Sequence, residues 1–323
     1  MTPPVIKPLA DSAGALVVCP PPHVRTGLGV RGLSLAGLLA LAPAAIMAMG
    51  NFGLDAARVL ALAGSVAVLT EALCLRLAGR DVDVDNFSAL YAGLLFAFLL
   101  PASAPWWLVA MGAILTTSLG RVLFGGFGSN PLCAPLVAWA MCRISWPAAM
   151  DVDFAMAASA MHEPLAQLKY FGVQALDQFE MIDLLLGRHL GALGAVQIIP
   201  LALGGVALMV FKVIRPYIPL AFLAGVLGMA GLLHMIDPSL YAEPVFHLLT
   251  GSVVFGAFFL ATDTASSPVG RMPMILFGLM AGVMVVVIRA WGVYTDGVPF
   301  AILLVNLLSP LLDRVRPKPF GAR

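Results

Sequence analysis

Apolar residues run along this chain in blocks of about 14 to 22, separated by short polar or proline-rich joints. Blocks at 33–50, 56–77, 87–100, 105–124 and 131–146 are followed by a second set at 193–213, 217–235, 244–261, 272–290 and 298–312. A helix of about 20 apolar residues spans a bilayer core. The pattern therefore predicts an all-α integral membrane protein with about ten transmembrane helices. Two interruptions break the rhythm. Between Trp146 and Leu190, Asp151, Asp153, Glu163, Asp177, Glu180 and Asp183 face only Lys169 and Arg188, an acidic extramembrane insert. Within the first set, Gly125-Gly126-Phe127-Gly128-Ser129-Asn130-Pro131 breaks helical regularity. Lipid-exposed irregular backbone is not tolerated in hydrocarbon, so this turn is expected to be shielded by protein or to line a cavity or ligand.

Composition sharpens the class. Hydrophobic residues fill 61% of 323 positions, charged residues 11%, and mean hydropathy is +0.98, which excludes a soluble core-and-surface domain. The expected organisation is a cytoplasmic arm at 1–32, a first membrane repeat at 33–146, an extracytoplasmic acidic insert at 147–191, and a second repeat with a short cytoplasmic tail at 192–323. The arm is proline-rich and lacks the basic start and cleavage site of a signal peptide. With ten spans both termini share a side. Thirteen of the 18 Lys and Arg residues fall on that side, so both ends are expected in the cytoplasm. The net charge of +1 comes with no basic stripe, so no nucleic-acid partner is expected. Cys19, Cys74, Cys133 and Cys142 show no paired spacing and read as small packing residues.

The two halves share landmarks. Arg121 stands ten residues before Pro131, and Arg289 ten before Pro299; Ser103-Ala104-Pro105 and Ser266-Ser267-Pro268 each place a hydroxyl and a proline where a helix should start. An offset of five spans makes the repeats antiparallel, the arrangement in which broken helices meet around a site. The predicted fold is two inverted five-helix repeats.

Three features carry candidate chemistry. Asn130 is placed to cap the fifth span with Pro131 at its first position, which would turn unpaired N–H groups and a positive dipole end toward the glycine turn. Gly125, Gly126 and Gly128 permit close approach of a flat ring or an anion. Asp263, within Ala261-Thr262-Asp263-Thr264, puts a costly carboxylate at the end of the eighth span beside the hydroxyls of Ser266 and Ser267, with Arg271 the nearest cation in sequence. It is the candidate for cation or proton coupling. His162, His189, His234 and His247 show no helical pairing, and no metal site is expected.

In this order, the landmarks resemble the D-type membrane component of the Rnf electron transport complex and the related B-type component of the sodium-pumping NADH:quinone oxidoreductase. The strongest points are Gly125 to Pro131, Ala261 to Asp263, and the tail from Pro299-Phe300-Ala301 to Asp313-Arg314. The resemblance implies a membrane subunit of an ion-translocating ferredoxin:NAD oxidoreductase, partnered by membrane and peripheral subunits that carry flavins and iron–sulfur centres, with no catalysis by the chain alone. It also implies riboflavin within the membrane and a flavin mononucleotide bonded through phosphate to a threonine outside it.

Two departures from the family pattern follow. The riboflavin-contacting Asn-Pro-Phe-Asn-Pro falls on Asn130, Pro131, Leu132, Cys133 and Ala134, so Cys133 replaces the second asparagine. The flavinylation motif falls on Ala160, Met161, His162 and Glu163, and no threonine occurs between Thr117 and Thr250. A carboxylate cannot form the phosphoester and repels phosphate, so covalent flavin mononucleotide is expected to be absent. A flavin could still bind there without a bond, or electrons could bypass the insert. Two other readings share the scaffold: a flavin-free solute channel or transporter in which the glycine turn and Asp263 line a path, and a structural anchor for redox partners. One carboxylate among hydroxyls serves sodium or proton equally.

Overall fold

The computed structural model describes residues 29–79, 85–151 and 162–315, and these contain helices and no named strand. Residues 1–28 of the expected arm, including Cys19, most of the C-terminal tail, and Ala160 and Met161 lie outside the described residues, while 30–32 already belong to the first helix. The first two apolar blocks form one helix, α1 (Val30–Leu77), 48 residues long with a non-helical Gly53 at φ +61°. Straight, it would run about 72 Å, far beyond a bilayer. It folds back instead. Leu33, Ser34 and Gly37 from its first half line the same cleft as Arg121, and Glu71 from its second half stands 3.9 Å from that arginine.

The remaining blocks become α2 (Ser88–Phe98), α3 (Trp106–Ser118), α4 (Ala134–Ser145), the insert helices α5 (Pro164–Phe171) and α6 (Met181–Leu186), then α7 (Ile198–Val210), α8 (Tyr217–Ile236), α9 (Pro244–Leu249), α10 (Arg271–Trp291) and α11 (Val298–Leu312). Four segments are long and apolar enough to cross a membrane: α1, Trp106–Phe124, α8 and α10. The 11-residue α2 is too short to cross, at about 17 Å. The chain continues from it through a buried irregular stretch, Leu99 to Ala102, tied to the rest by Leu193 N–H donating to the Leu100 carbonyl and the Trp139 indole donating to the Leu99 carbonyl. Irregular backbone is kept where protein, not lipid, surrounds it.

The block expected as one helix over 244–261 is interrupted. After α9, Gly251 adopts φ +65°, Val253–Phe255 makes one turn, and Gly256–Leu260 is a π-helical turn. A second broken span is thus present beside the one expected near Asn130.

Helix starts also depart from expectation. Helix α4 begins at Ala134 behind Cys133, with Pro135 in its first turn, so Asn130 and Pro131 stand before it. Asn130 lies three residues ahead of the cap position, and its amide nitrogen donates to the Leu132 carbonyl and to Asp263 instead. Pro105 and Gly270 hold the cap positions of α3 and α10 rather than serines; Ser266 is drawn to Asp263 instead.

Corresponding contacts recur in the two halves. Arg121, after α3, donates to Ser88 at the start of α2. Arg289, near the end of α10, donates to the His247 and Thr250 carbonyls of the broken span and pairs with Asp296 at 3.1 Å. Each arginine ties the end of one span to the start of the preceding one, as an inverted repeat requires.

Candidate functional site

At the end of the bundle where α2 begins and the broken span finishes, a cleft opens, with about 740 Å³ of space including the solvent at its mouth. Its floor comes from α1 (Leu33, Ser34, Gly37) and α2 (Ser88, Tyr91, Ala92), and one wall from the π-helical turn and its exit (Phe259, Thr262, Asp263, Thr264). The opposite wall is the segment between α3 and α4: Arg121, Phe127, Gly128 and Asn130. Gly37 is required here, because a Cβ at that position would stand 2.6 Å from the Tyr91 ring.

The glycine turn is expected to be shielded by protein or to line a cavity, and Phe127 and Gly128 do line this cleft. In the structure Gly125, Phe127, Gly128 and Ser129 are exposed, whereas Arg121 and Asn130 on either side are buried. The turn is therefore the mouth of the cleft, not its interior. Gly125, Gly126 and Gly128 all have positive φ, +111°, +111° and +86°, and added Cβ atoms at Gly126 and Gly128 would meet nothing within 4 Å. Glycine is needed for backbone conformation at these positions and leaves open space above the loop.

Asn130 and Asp263, 133 residues apart in sequence, meet here. The Asn130 amide nitrogen donates to the Leu132 carbonyl at 2.8 Å and to Asp263 Oδ2 at 3.3 Å. That same carboxylate oxygen accepts from Ser266 Oγ at 2.9 Å. Because both amide hydrogens are committed, the Asn130 carbonyl oxygen is the group left to accept from a molecule in the cleft. Gly128, Asn130 and Asp263 line the cleft, while Gly125 and Gly126 shape its mouth. Cys133 does neither; it is fully buried in the apolar core.

The guanidinium at this cleft is Arg121, not Arg271. Arg121 is buried, its Nη2 donates to Ser88 Oγ at 2.9 Å, its Nη1 lies 3.9 Å from Glu71, and its charge stands 5.2 Å from the centre of the Phe127 ring. Sequence reasoning uses Arg121 only as a landmark and passes over Glu71 and Tyr91. The available signal is Glu71 itself, a single carboxylate inside an apolar span, where an ionisable group is rarely incidental.

A second cleft of about 980 Å³ opens at the other end of the bundle. Trp139 and Arg143 of α4, Tyr170 of α5, Gly251 and Ser252 of the broken span, and Tyr294 and Asp296 line it, together with Asp151 and Glu163. Lys169 of α5 donates to the Gly292 and Tyr294 carbonyls at 2.5 and 2.8 Å, docking the insert onto the loop after α10. Partial burial lowers the Lys169 pKa. Asp296 is fully engaged: one oxygen accepts from Arg289 and the Val298 amide, the other from the amide and hydroxyl of Ser252.

Fold and clefts define a polytopic helical membrane protein with a partly polar chamber at each end of its bundle. The profile of the NQR2, RnfD, RnfE family matches residues 17–321, and the chain belongs to that family. It is 33% identical to the D-type subunit of the ion-translocating oxidoreductase complex of Stutzerimonas stutzeri, over 88% of this chain and 90% of that one. It is 32% identical to the D-type subunit of the Na(+)-translocating ferredoxin:NAD(+) oxidoreductase complex of Acetobacterium woodii, over 93% of each chain. Identity is also 32% to the D-type subunit of the proton-translocating ferredoxin:NAD(+) oxidoreductase complex of Clostridium ljungdahlii, over 94% of this chain and 95% of the relative.

Proposed function

We propose that this chain is the D-type membrane subunit of an Rnf-type ferredoxin:NAD oxidoreductase that moves sodium ions or protons, and that it holds riboflavin in the cleft that Asn130 and Asp263 line. The observation that carries this reading is the cleft itself. It brings apolar rings, hydroxyls, an amide carbonyl and a carboxylate to one concave surface, the mixture expected of a small-molecule site. Tyr91, Phe127 and Phe259 offer apolar faces for a flat ring, and the Asn130 carbonyl offers an acceptor for a ring N–H. Thr262 and Thr264 supply hydroxyls, and the Asp263 carboxylate favours an uncharged sugar-alcohol chain over a phosphate. Bound riboflavin would supply electron-transfer chemistry that the side chains lack. The chain's own part is to orient the ring, exclude lipid and water, and place a carboxylate beside it. Asp263 is the ion-coupling candidate, since a carboxylate held by two donors can exchange either for a cation or a proton. The chain would sit in a bacterial inner membrane with both termini in the cytoplasm, among flavin- and iron–sulfur-carrying subunits.

The covalent flavin mononucleotide implied by the family does not fit the second cleft. Glu163, at the attachment position, lines it and presents a carboxylate where the bond would need a hydroxyl, with Asp151 also in the lining. We propose that no flavin is bonded to this chain, and no step is routed through one. The denatured subunit should therefore show no flavin fluorescence on a gel; a fluorescent band would overturn this. For riboflavin, the purified native complex should release it on denaturation, and Asn130→Leu should lower the amount released. A colourless subunit, or undiminished riboflavin in Asn130→Leu, would favour a flavin-free transporter.

A further inference from the structure

Arg121 is the one guanidinium among the described residues that line the first cleft, yet its hydrogen bonding is incomplete. Only Nη2 is engaged, by Ser88; Nη1 is buried and makes no hydrogen bond, with Glu71 at 3.9 Å. A cation buried this deeply in an apolar bundle is costly unless something repays it. One distant carboxylate and one aromatic face at 5.2 Å are modest compensation. By contrast, Arg289, its counterpart in the other half, makes three hydrogen bonds and a close ion pair. Of the two buried arginines, the one at the first cleft is thus the less compensated.

We propose that Arg121 is the residue that sets the electron affinity of the molecule bound in this cleft, and that Glu71 opposes it. The proposal rests on the riboflavin reading above. When a low-potential donor such as a reduced iron–sulfur protein delivers two electrons to the ring and one proton follows, the ring gains one net negative charge. That charge collects on its carbonyl-bearing edge. A fixed cation nearby favours the reduced form over the oxidised one, and a cofactor's electronics are commonly tuned by charge near this edge. Asn130 and Arg121 then divide the work. The Asn130 carbonyl accepts from the ring N–H in either redox state, while the Arg121 field matters most after reduction. Glu71 holds the field below its maximum, because its carboxylate lies behind the guanidinium on α1. Tyr91 from α2 and Asp263 from the broken span are the other titratable groups lining the cleft, and Asp263 pulls in the same direction as Glu71.

A clamp that merely tied α1, α2 and the α3–α4 segment together would behave differently. Loss of either partner would loosen it and weaken oxidised and reduced riboflavin alike. The charge proposal predicts opposite effects from the two partners.

The test uses the full-length chain in lipid nanodiscs, with riboflavin as probe. Dissociation constants are measured for the oxidised form by fluorescence quenching and for the dithionite-reduced form by anaerobic equilibrium dialysis. For Arg121→Gln the ratio of reduced to oxidised dissociation constants should rise at least tenfold, a fall of about 30 mV for a two-electron couple. Glu71→Gln should shift the ratio the other way, and Arg121→Lys should leave it near wild type. Equal weakening of both forms in Arg121→Gln, or a ratio unmoved by Glu71→Gln, overturns the proposal while leaving riboflavin in its cleft. Should Arg121→Gln fail to fold, Glu71→Gln and Arg121→Lys decide the matter alone. If wild-type chain binds riboflavin in neither form, the functional reading itself falls, and this inference with it.

Discussion

Replacing Gly126 with alanine isolates the contribution of backbone conformation to the cleft. Its φ is +111°, and an added Cβ would meet no atom within 4 Å, so the substitution introduces no clash. What remains is the intrinsic cost of holding an L-residue there, about 1–3 kcal/mol. The turn is exposed and contributes nothing to the apolar core, so it can relax to another conformation and escape that cost. Relaxation would displace Gly128 and Asn130, which line the cleft. If binding must restore the native turn, riboflavin affinity falls by the same free energy, from about 5-fold to about 150-fold. Thermal stability should hardly change. Adding Gly128→Ala to Gly126→Ala should weaken binding by less than the product of the single effects, since a turn already released has little more to lose. Fluorescence titration on nanodisc-embedded protein measures all three variants. Binding by Gly126→Ala within twofold of wild type would refute the claim that the three positive-φ glycines hold the mouth in its working shape.

Asp263→Leu strands two donors, the Asn130 amide and the Ser266 hydroxyl, each worth about 1–3 kcal/mol when unmatched; riboflavin affinity should fall about tenfold or more. Asp263→Asn keeps an acceptor and should bind nearly normally while ion transport by the complex in proteoliposomes declines, and retention of full transport would remove Asp263 from the coupling role. Gly282→Val should destabilise the bundle by about 1–3 kcal/mol, because a Cβ there would collide with the Phe222 carbonyl across the α8–α10 crossing; an unchanged thermal midpoint in detergent would contradict that packing. His189 tests the insert. Burial lowers its pKa from 6.5 to about 4, so it folds as the neutral ring. Its folded pKa lies below the unfolded one, and the stability tied to it is therefore complete above about pH 6.5 and lost as pH falls toward 4. The full loss amounts to about 3 kcal/mol. Protease resistance of the insert should drop over that window in wild type and vary less in His189→Phe; identical pH profiles would count against it.

Much of the fold could be read from apolar block length, because a bilayer imposes a length requirement that sequence shows directly. All ten blocks reappear as helical segments among the described residues. What block length could not show was where backbone leaves the helix inside a block. The break at Thr250 to Ser252 carries one glycine and no proline, and its irregular backbone is stabilised by Arg289 and Asp296, which lie about 40 residues downstream. Such support depends on tertiary contacts. The α8–α10 crossing was readable but unread: Gly278 and Gly282 are four residues apart, and a Cβ at Gly278 would stand 2.6 Å from the Ile218 carbonyl, the small-residue spacing that brings membrane helices together. At the site, the glycine turn and Asp263 were each legible, but their joining through the Asn130 amide was not. The choice of asparagine as donor rather than cap depends on what the fold brings opposite it.

The inverted repeat explains why the two clefts differ in charge. The two arginines make corresponding contacts in the two halves, but with different partners. In one half both terminal nitrogens of Arg289 are held, by two carbonyls and by Asp296, whose other oxygen holds Ser252. Such a node leaves neither a free positive charge nor a free carboxylate, and its polar groups are spent on holding the broken span, α10 and α11 together. In the other half the positive charge on Arg121 and the carboxylate of Asp263 remain on opposite walls of one cleft, joined only indirectly. An open pair of this kind responds to a ligand that changes its own charge: a ring that becomes negative strengthens its interaction with Arg121 and weakens its tolerance of Asp263. Neutralising Asp263 with a proton or a metal cation then becomes more favourable in the reduced state than in the oxidised one. Linkage makes the effect reciprocal, so cation uptake at Asp263 would raise the electron affinity of the same cleft. The two arginine nodes thus differ in how far their partners compensate them, and on the proposed reading the less compensated one marks the end at which electron and ion occupancy would act on each other.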